Sequence, residues 1–397
     1  MPAGGADKYD YIIIGGGIVG SSIARELASR GIGSVAVLDK EPQLGLHGSG
    51  RNSGVLHSGI NQKPGSLKAR MAVEGNRLAR EFCKENDVRM EECGTIVVSR
   101  NPRELDVLNQ LVEMGTAAGV QDLRIMDRDE LAEREPATMG TNALISPNGA
   151  IVDSEAFVRA VARDAGKLGA VYIMNARVTA IHGNTVVSTA GDFKAGHVIN
   201  CAGLYSDRIA SMMGTDKGRR IIPFRGEYME LEGLNVNSMV YQAPDLKYPF
   251  LGVHFTKTVD GDVLAGPTAM LSFGREAYDK QIIPGDSARM ISTVNFWRLV
   301  SSRKFLRLVW QNGKISFSDR AFLAEILTLA KGVEMSQIKP YRSGIRAQMV
   351  DRSGRMVDDM VVEYLEGSTH VLNAVSPGMT AALAFASHVV DNIFSRR

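Results

Sequence analysis

The chain has 397 residues, a length that suggests about two to three domains. Hydrophobic residues make up 44% and charged residues 23%, an ordinary globular composition that excludes a wholly disordered chain. Lysine and arginine total 46 against 44 acids, so the basic excess of a nucleic-acid-binding protein is missing and no such partner is expected.

No apolar run of about 18 residues occurs, so no transmembrane helix is expected. Cys83, Cys93 and Cys201 are widely spaced and form no Cys-x-x-Cys pair. That excludes the usual zinc-ribbon and cysteine-ligated cluster patterns, and no metal is expected. A sparse, odd cysteine count fits a reducing compartment. The opening MPAGGADK lacks a basic region followed by an apolar one, so no secretory signal is expected and the location expected is cytoplasmic.

In chain order, Tyr11–Ile14 reads as a short buried parallel strand. The turn Gly15-Gly-Gly17-Ile-Val-Gly20 follows, then a helix over Ser21–Arg30, ended by Gly31 and Gly33. Val35–Leu38 is a second strand with Asp39 at its end, which completes a β-α-β unit. Strands are expected at Gly94–Ser99, at Val171–Ile181, at Thr185–Val187 and at His197–Asn200. Helices are expected at Arg103–Gly119 and Ser154–Gly169. From Phe224 to Pro267 the pattern turns to alternating strands: Tyr228–Leu231, Met239–Gln242, Gly252–Thr258 and Val263–Ala265, with a hairpin turn at Asp260–Asp262. Residues 287–332 read as mainly helical. Strands at Met360–Tyr364 and His370–Asn373 and a helix over Thr380–Phe394 close the chain.

The glycine turn carries the most chemistry. Gly15 permits a tight turn, Gly17 lets backbone approach a diphosphate, and Gly20 lets helix and strand pack closely. Asp39 lies about twenty residues further on, where an acid reaches a ribose hydroxyl. The helix N-terminus offers N–H groups to the diphosphate. The segment Gly48–Gly59 (GSGRNSGVLHSG) brackets Arg51 and Asn52 with small residues, so its backbone can lie against a flat ring or a phosphate.

Gly15–Gly20, Asp39 and this loop resemble the opening of the D-amino-acid-oxidase-like class of FAD-dependent oxidoreductases. Further segments narrow the resemblance: Lys63–Lys68 (KPGSLK), Pro223–Tyr228 (PFRGEY), Tyr248–Thr256 (YPFLGVHFT), Gly266-Pro267, Gly344–Gln348 (GIRAQ) and Asn373–Pro377. Together, in order and over nearly the whole chain, they resemble the L-2-hydroxyglutarate dehydrogenase (or oxidase) family.

The resemblance implies an α/β architecture. A Rossmann-like FAD-binding domain would be assembled from residues 8–85, 150–215 and 340–397. A second, α+β substrate-binding domain on an antiparallel sheet would comprise 86–149 and 216–339, with a helical insertion. FAD contacts are implied at Gly15, Gly17, Gly20, Asp39, Lys40, Arg51, Asn52, Ser53, Gly54, Val178, Ala202 and Gly203. They are also implied at Ser376, Pro377, Gly378, Met379 and Thr380, where a helix N-terminus would face the flavin pyrimidine; plain N-capping is the other reading of that segment.

The implied reaction oxidises an L-2-hydroxy acid, L-2-hydroxyglutarate first among them, with hydride passing to flavin N5. A histidine suits the hydroxyl proton. His57 follows the flavin loop and His254 lies in the antiparallel part; either fits. Arg346 and Arg225 are candidates for a substrate carboxylate, and Tyr241 and Lys257 for a distal one. The chain has Arg51, Asn61-Gln62 and Thr268 where the family often has histidine, two tyrosines and asparagine. Those departures touch the substrate pocket, so a glycerol-3-phosphate dehydrogenase or an amino-acid oxidase of the same class stays open. Electrons would leave to a quinone or O2. Residues 296–310 hold both tryptophans, with Arg298, Arg303, Lys304 and Arg307. As a basic amphipathic helix they would contact the inner face of the cell membrane; packing on the core is the other reading.

Overall fold

The computed structural model describes residues 6–215, 217–244, 252–374 and 376–396. Tyr248–Leu251 of the YPFLGVHFT segment, Val375 and the Lys304 side chain lie outside this description.

Apolar β-branched segments with few polar residues can be buried on both faces, and these build the first sheet. Asp7–Ile14 pairs in parallel with Val35–Leu38 on one side and Gly191–Asn200 on the other. Val171–Ile173 and Ser368–Asn373 extend the parallel part, and Val178–His182, Thr185–Ser188 and Val361–Leu365 add antiparallel strands to make eight. Ile14, Leu38 and Asn200 align, so the C-terminal ends of the central strands share one edge.

Helices cover one face, while Ile12, Ile14 and Val198 on the other pack against Ile181, Val186 and Ile209. Ile18–Ser29 and Gly378–Ser395 share a core with the central strands through Ile13, Ile23, Leu27, Phe385 and Val389. The helix Leu67–Glu85 packs on Gly378–Ser395 almost backbone to backbone. A Cβ at Gly75 would collide with the Thr380 carbonyl and lie 2.6 Å from the Ala381 Cα.

The second sheet has nine strands and is antiparallel except where Met239–Gln242 runs parallel to Thr95–Ser99. Its longest pair joins Arg220–Leu231 to Ile338–Val350. Residues 340–350, expected with the nucleotide-binding segments, therefore lie in this sheet. The expected hairpin is present: Thr258 N–H donates to the Asp262 carbonyl at 2.8 Å, with Gly261 at φ +97°. A small three-stranded sheet joins Val55-Leu56, Ala150–Val152 and Met90-Glu91.

The tryptophan-bearing stretch is two helices, not one. Val294–Val300 ends at Ser301, and Ser302 caps Arg303–Phe317 by accepting the Phe305 N–H. Phe296, Leu299 and Phe305 are buried, whereas Trp297 is 56%, Trp310 64% and Phe317 77% exposed. No helix among the described residues is long and apolar enough to cross a membrane.

Candidate active site

A cleft of about 730 Å³ opens at the C-terminal edge of the parallel strands and continues between the two sheets. This is where open α/β sheets bind ligands. Gly15 and Gly17, Asp39 and Lys40, Arg51–Ser53, Val178, Ala202-Gly203 and Ser376–Thr380 all line it, as do His57 and Arg346. Gly20, Gly54, Arg225, Tyr241, His254 and Lys257 do not.

The glycine turn is as tight as its sequence suggests. Gly15 sits at φ +105°, and a Cβ there would lie 2.5 Å from the Cys201 carbonyl. A Cβ on Gly17 would lie 2.8 Å from Ser49 Oγ, and one on Gly20 would collide with the Gly15 carbonyl. Asp39 braces the turn: Oδ2 accepts the Gly16 N–H at 2.7 Å and Oδ1 the Glu41 N–H at 3.0 Å. A carboxylate has about four acceptor positions, so capacity for a hydroxyl is left.

Two helices direct N-termini at the cleft without a local side-chain cap: Ile18–Ser29, which begins after Gly17, and Gly378–Ser395, which begins after Pro377. The Leu67–Glu85, Pro102–Ala117 and Ser154–Lys167 helices, whose N-termini do not line the cleft, are capped by Ser66, Asn101 and Asp153. The uncapped ends are the ones that suit an anion. Ser376 does not cap the last helix, so plain N-capping does not explain that segment.

The loop after Asp39 is held by its own side chains. Asn52 Oδ1 accepts the Gly54 N–H at 2.8 Å and the Ser154 hydroxyl at 2.8 Å. Gly54, at φ +73°, abuts the Val152 carbonyl and shapes the loop from behind. Arg51 donates to the Leu46 carbonyl at 3.0 Å and lies 4.1 Å from the Tyr278 ring centre.

His57 leaves this loop toward the end of the cleft. Its N–H donates to Thr380 Oγ1 at 3.0 Å, tying it to the first turn of the last helix. Burial, together with the charges of Lys68 and Arg346, lowers the imidazole pKa to about 4. Arg346, buried in the Ile338–Val350 strand, has its own pKa lowered by burial and partly restored by Tyr228. His254 stands near both, and its pKa is also about 4, chiefly from burial. It stacks on Tyr241 at 4.2 Å between ring centres. Its Nδ1 is 3.0 Å from the Gly252 carbonyl, so Nδ1 carries the proton and Nε2 is the acceptor.

Two expected carboxylate ligands have other partners. Lys257 Nζ lies 2.7 Å from Glu91 Oε1. Arg225 Nε lies 3.4 Å from Glu227 Oε1, which Lys280 Nζ also approaches at 3.1 Å, while the Ser316 hydroxyl donates to Glu227 Oε2 at 3.2 Å. Gly226 and Tyr228 line the cleft, and strand alternation turns Arg225 and Glu227 to the opposite face.

Tyr228, which lines the cleft, is a site group the residue-by-residue reading passed over, as is Lys68, which stands outside the cleft lining but whose charge acts on His57; the PFRGEY and KPGSLK segments contain them. That reading also missed the strap Phe273–Ile283, which packs against the cleft-lining residues Lys40, His47, Arg51 and Tyr205. Arg275 forks onto Asp207 at 2.6 and 2.8 Å. Glu276 accepts the Tyr205 hydroxyl at 2.7 Å and pairs with Lys40 at 2.6 Å, and Tyr278 OH lies 2.7 Å from His47 Nδ1. Glu41, His47 and Glu276 offer ligand atoms within 4.8 Å of one another, and the Lys40 ammonium already contacts all three.

A Rossmann-type sheet, a glycine turn closed to any Cβ and two uncapped helix ends on one elongated cleft define a dinucleotide-dependent enzyme. The chain belongs to the FAD-dependent oxidoreductase family, whose family model matches residues 10–392. Among its relatives is the L-2-hydroxyglutarate dehydrogenase of Escherichia coli K12, 34% identical over 395 residues, which are 97% of this chain and 93% of that one. The enzyme of the same name from Indibacter alkaliphilus is 36% identical, covering 96% and 98% of the two chains. The human mitochondrial one is 34% identical, covering 98% and 89%. The solved L-alpha-glycerophosphate oxidase of Mycoplasma pneumoniae with FAD bound shares the fold, with a TM-score of 0.76 at 22% identity over 98% of this chain and 95% of that one. Glycine oxidase from Geobacillus kaustophilus gives 0.73 at 19%, over 99% and 96%. The protein is an oxidoreductase with FAD as its cofactor, and the glycine cradle and uncapped helix ends fit that group.

Proposed function

We propose that the protein oxidises L-2-hydroxyglutarate to 2-oxoglutarate. The observation that carries this reading is the meeting of His57 and Arg346 at one end of the cleft, beside the first turn of the Gly378–Ser395 helix. The identity to three dehydrogenases of that name supports the choice of acid.

In this reading Gly15 and Gly17 hold the diphosphate at the start of Ile18–Ser29, Gly20 keeps that helix close to the turn, and Asp39 holds the ribose. Lys40 with the Tyr205 ring, and Val178, flank the adenosine. Arg51–Gly54, Ala202-Gly203 and Ser376–Thr380 surround the flavin half. The FAD-binding unit and the substrate-binding unit thus meet along the cleft. FAD, when bound, supplies the hydride acceptor for C2.

The protein's own task is the hydroxyl proton. Arg346 forks onto the C1 carboxylate and orients the acid. His57 is neutral at neutral pH, so its bare nitrogen accepts the hydroxyl proton. Substrate carboxylates offset the cations that hold His57 down, and its proton affinity rises as the acid binds. His254, with Nδ1 held by Gly252, orients the pocket beside it and is the second candidate for the base.

The test is anaerobic mixing of the holoenzyme with L-2-hydroxyglutarate while flavin absorbance near about 450 nm is followed. Rapid bleaching by this acid, and not by its D-enantiomer, glycerol 3-phosphate or L-amino acids, is expected. Bleaching by glycerol 3-phosphate or an amino acid alone would replace this substrate.

For the electron acceptor, the proposal takes a membrane quinone, with O2 as the other candidate, and a cytoplasmic enzyme resting on the inner membrane face. Support comes from Trp297, Leu306, Trp310 and Phe317, all exposed beside Arg298 and Lys314. Sedimentation with anionic liposomes at low salt should fall about tenfold in a Trp297→Ala, Trp310→Ala double variant. Failure of the parent protein to sediment at all would remove the membrane from this reading.

A further inference from the structure

A five-carbon diacid presents a second carboxylate, and Lys257, which the sequence offers for it, is held by Glu91. We propose that Lys68 binds the distal carboxylate opposite Arg346, and thereby selects a dicarboxylic 2-hydroxy acid over a monocarboxylic one. The choice of acid rests on the reaction proposed above; the position of the lysine does not.

Lys68 stands in the first turn of the Leu67–Glu85 helix, which Ser66 caps. Helical spacing puts Lys68, Ala72, Gly75, Asn76 and Ala79 on one face, and all but the lysine are buried. That face packs on the site. Gly75 abuts the backbone of Thr380 and Ala381. Asn76 Nδ2 donates to the carbonyls of Leu56 and His57 at 3.2 and 3.3 Å. Lys68 projects from the same stripe two turns before Asn76, and its side chain is only 13% exposed.

The ammonium rests on a weak partner. Lys68 Nζ lies 3.0 Å from Asp358 Oδ1 and donates to the Asp358 carbonyl at 3.3 Å. The Asp358 side chain is 78% exposed, so solvent screens this pair. A flexible four-carbon stem lets the charge turn from Asp358 to an incoming carboxylate. The electrostatics agree with this placement, because Lys68 and Arg346 are the two cations that act on the His57 ring. An acid whose C2 hydroxyl faces His57 then lies with one carboxylate toward each.

The experiment compares the holoenzyme with its Lys68→Met and Lys68→Arg variants, on L-2-hydroxyglutarate and on L-2-hydroxybutanoate. Lys68→Met should lower kcat/KM for the diacid about 100-fold and for the monoacid by less than about threefold, and Lys68→Arg should recover most of the loss. Equal losses on both acids, or none, overturn the proposal. Glutarate and butyrate are titrated in parallel, read as a shift of the flavin absorption without turnover. Lys68→Met should weaken glutarate about 100-fold and leave butyrate unchanged; unchanged glutarate binding overturns the role. If L-2-hydroxyglutarate does not reduce the parent enzyme, the assigned reaction fails, and the glutarate titration still decides the role of Lys68. Asp358→Asn, at an exposed position, covers the case of a Lys68 variant that does not fold. It should tighten glutarate about threefold, and weaker or unchanged binding overturns the proposal.

Discussion

Replacing His57 with asparagine should slow anaerobic flavin reduction by L-2-hydroxyglutarate about 10³-fold while the protein still binds FAD. Asparagine keeps a polar side chain of similar size, and the bond from the residue 57 N–H to Thr380 Oγ1 is a backbone bond that survives the change. What is lost is the acceptor for the hydroxyl proton. The same change at His254 should cost about tenfold, because that ring orients the pocket without taking the proton. A reversed order of losses would make His254 the base. The pH profile is a second readout. With the His57 pKa at about 4, kcat/KM should stay level from neutrality down to about pH 5 and fall below it as the ring takes a proton. The limb in kcat should lie at higher pH, since the bound acid offsets Lys68 and Arg346. A kcat/KM limb near the ordinary histidine value would contradict the burial and the two cations.

Gly20→Val should give a protein without yellow colour and with a lower Tm. The new Cβ meets the Gly15 carbonyl, which is backbone and cannot swing aside. The helix Ile18–Ser29 must move off the first strand, which opens the buried contacts of Ile23 and Leu27 and costs about 3 kcal/mol. Its N-terminus then no longer points where the diphosphate needs it. Gly31→Ala makes the control. That residue follows the same helix at φ +65°, whereas Gly20 lies within it, and nothing stands within 4 Å of a Cβ there. It should cost about 1 kcal/mol of backbone strain and keep a full complement of flavin. The flavin-to-protein ratio after purification and a thermal melt read both. Full flavin in Gly20→Val would mean that the close helix–strand contact is not needed for the cofactor.

Local features were legible in the residues. The strand–turn–helix–strand opening uses apolar runs and glycines within some thirty positions of one another, so its geometry follows from short-range sterics. The helix Leu67–Glu85 escaped notice because its buried face is alanine, glycine and asparagine up to Ala79, with larger apolar groups only at Phe82 and Cys83, which gives little apolar periodicity. The strand Ile338–Val350 escaped for a related reason. Its Arg346 and Gly344 line a cleft, so the apolar alternation of a core strand is missing. Lys257 looked like a carboxylate ligand until Glu91, distant in sequence, proved to be its partner. Tyr278 and Glu276 have no local motif; they matter through contacts with His47, Tyr205 and Lys40 that only the folded chain creates.

The order of segments in the cofactor sheet bears on how the enzyme is made. Its first strand, Asp7–Ile14, is synthesised long before the parallel strand Ser368–Asn373 and the helix whose open end faces the cleft. The nascent chain therefore carries an unfinished apolar sheet through most of its synthesis, its face covered by Ile18–Ser29 but not yet by Phe385 and Val389. A chain cut before Ser368 would keep the glycine turn and Asp39 but lack the last parallel strand and the helix end that lines the cleft, so its cofactor site would stay incomplete.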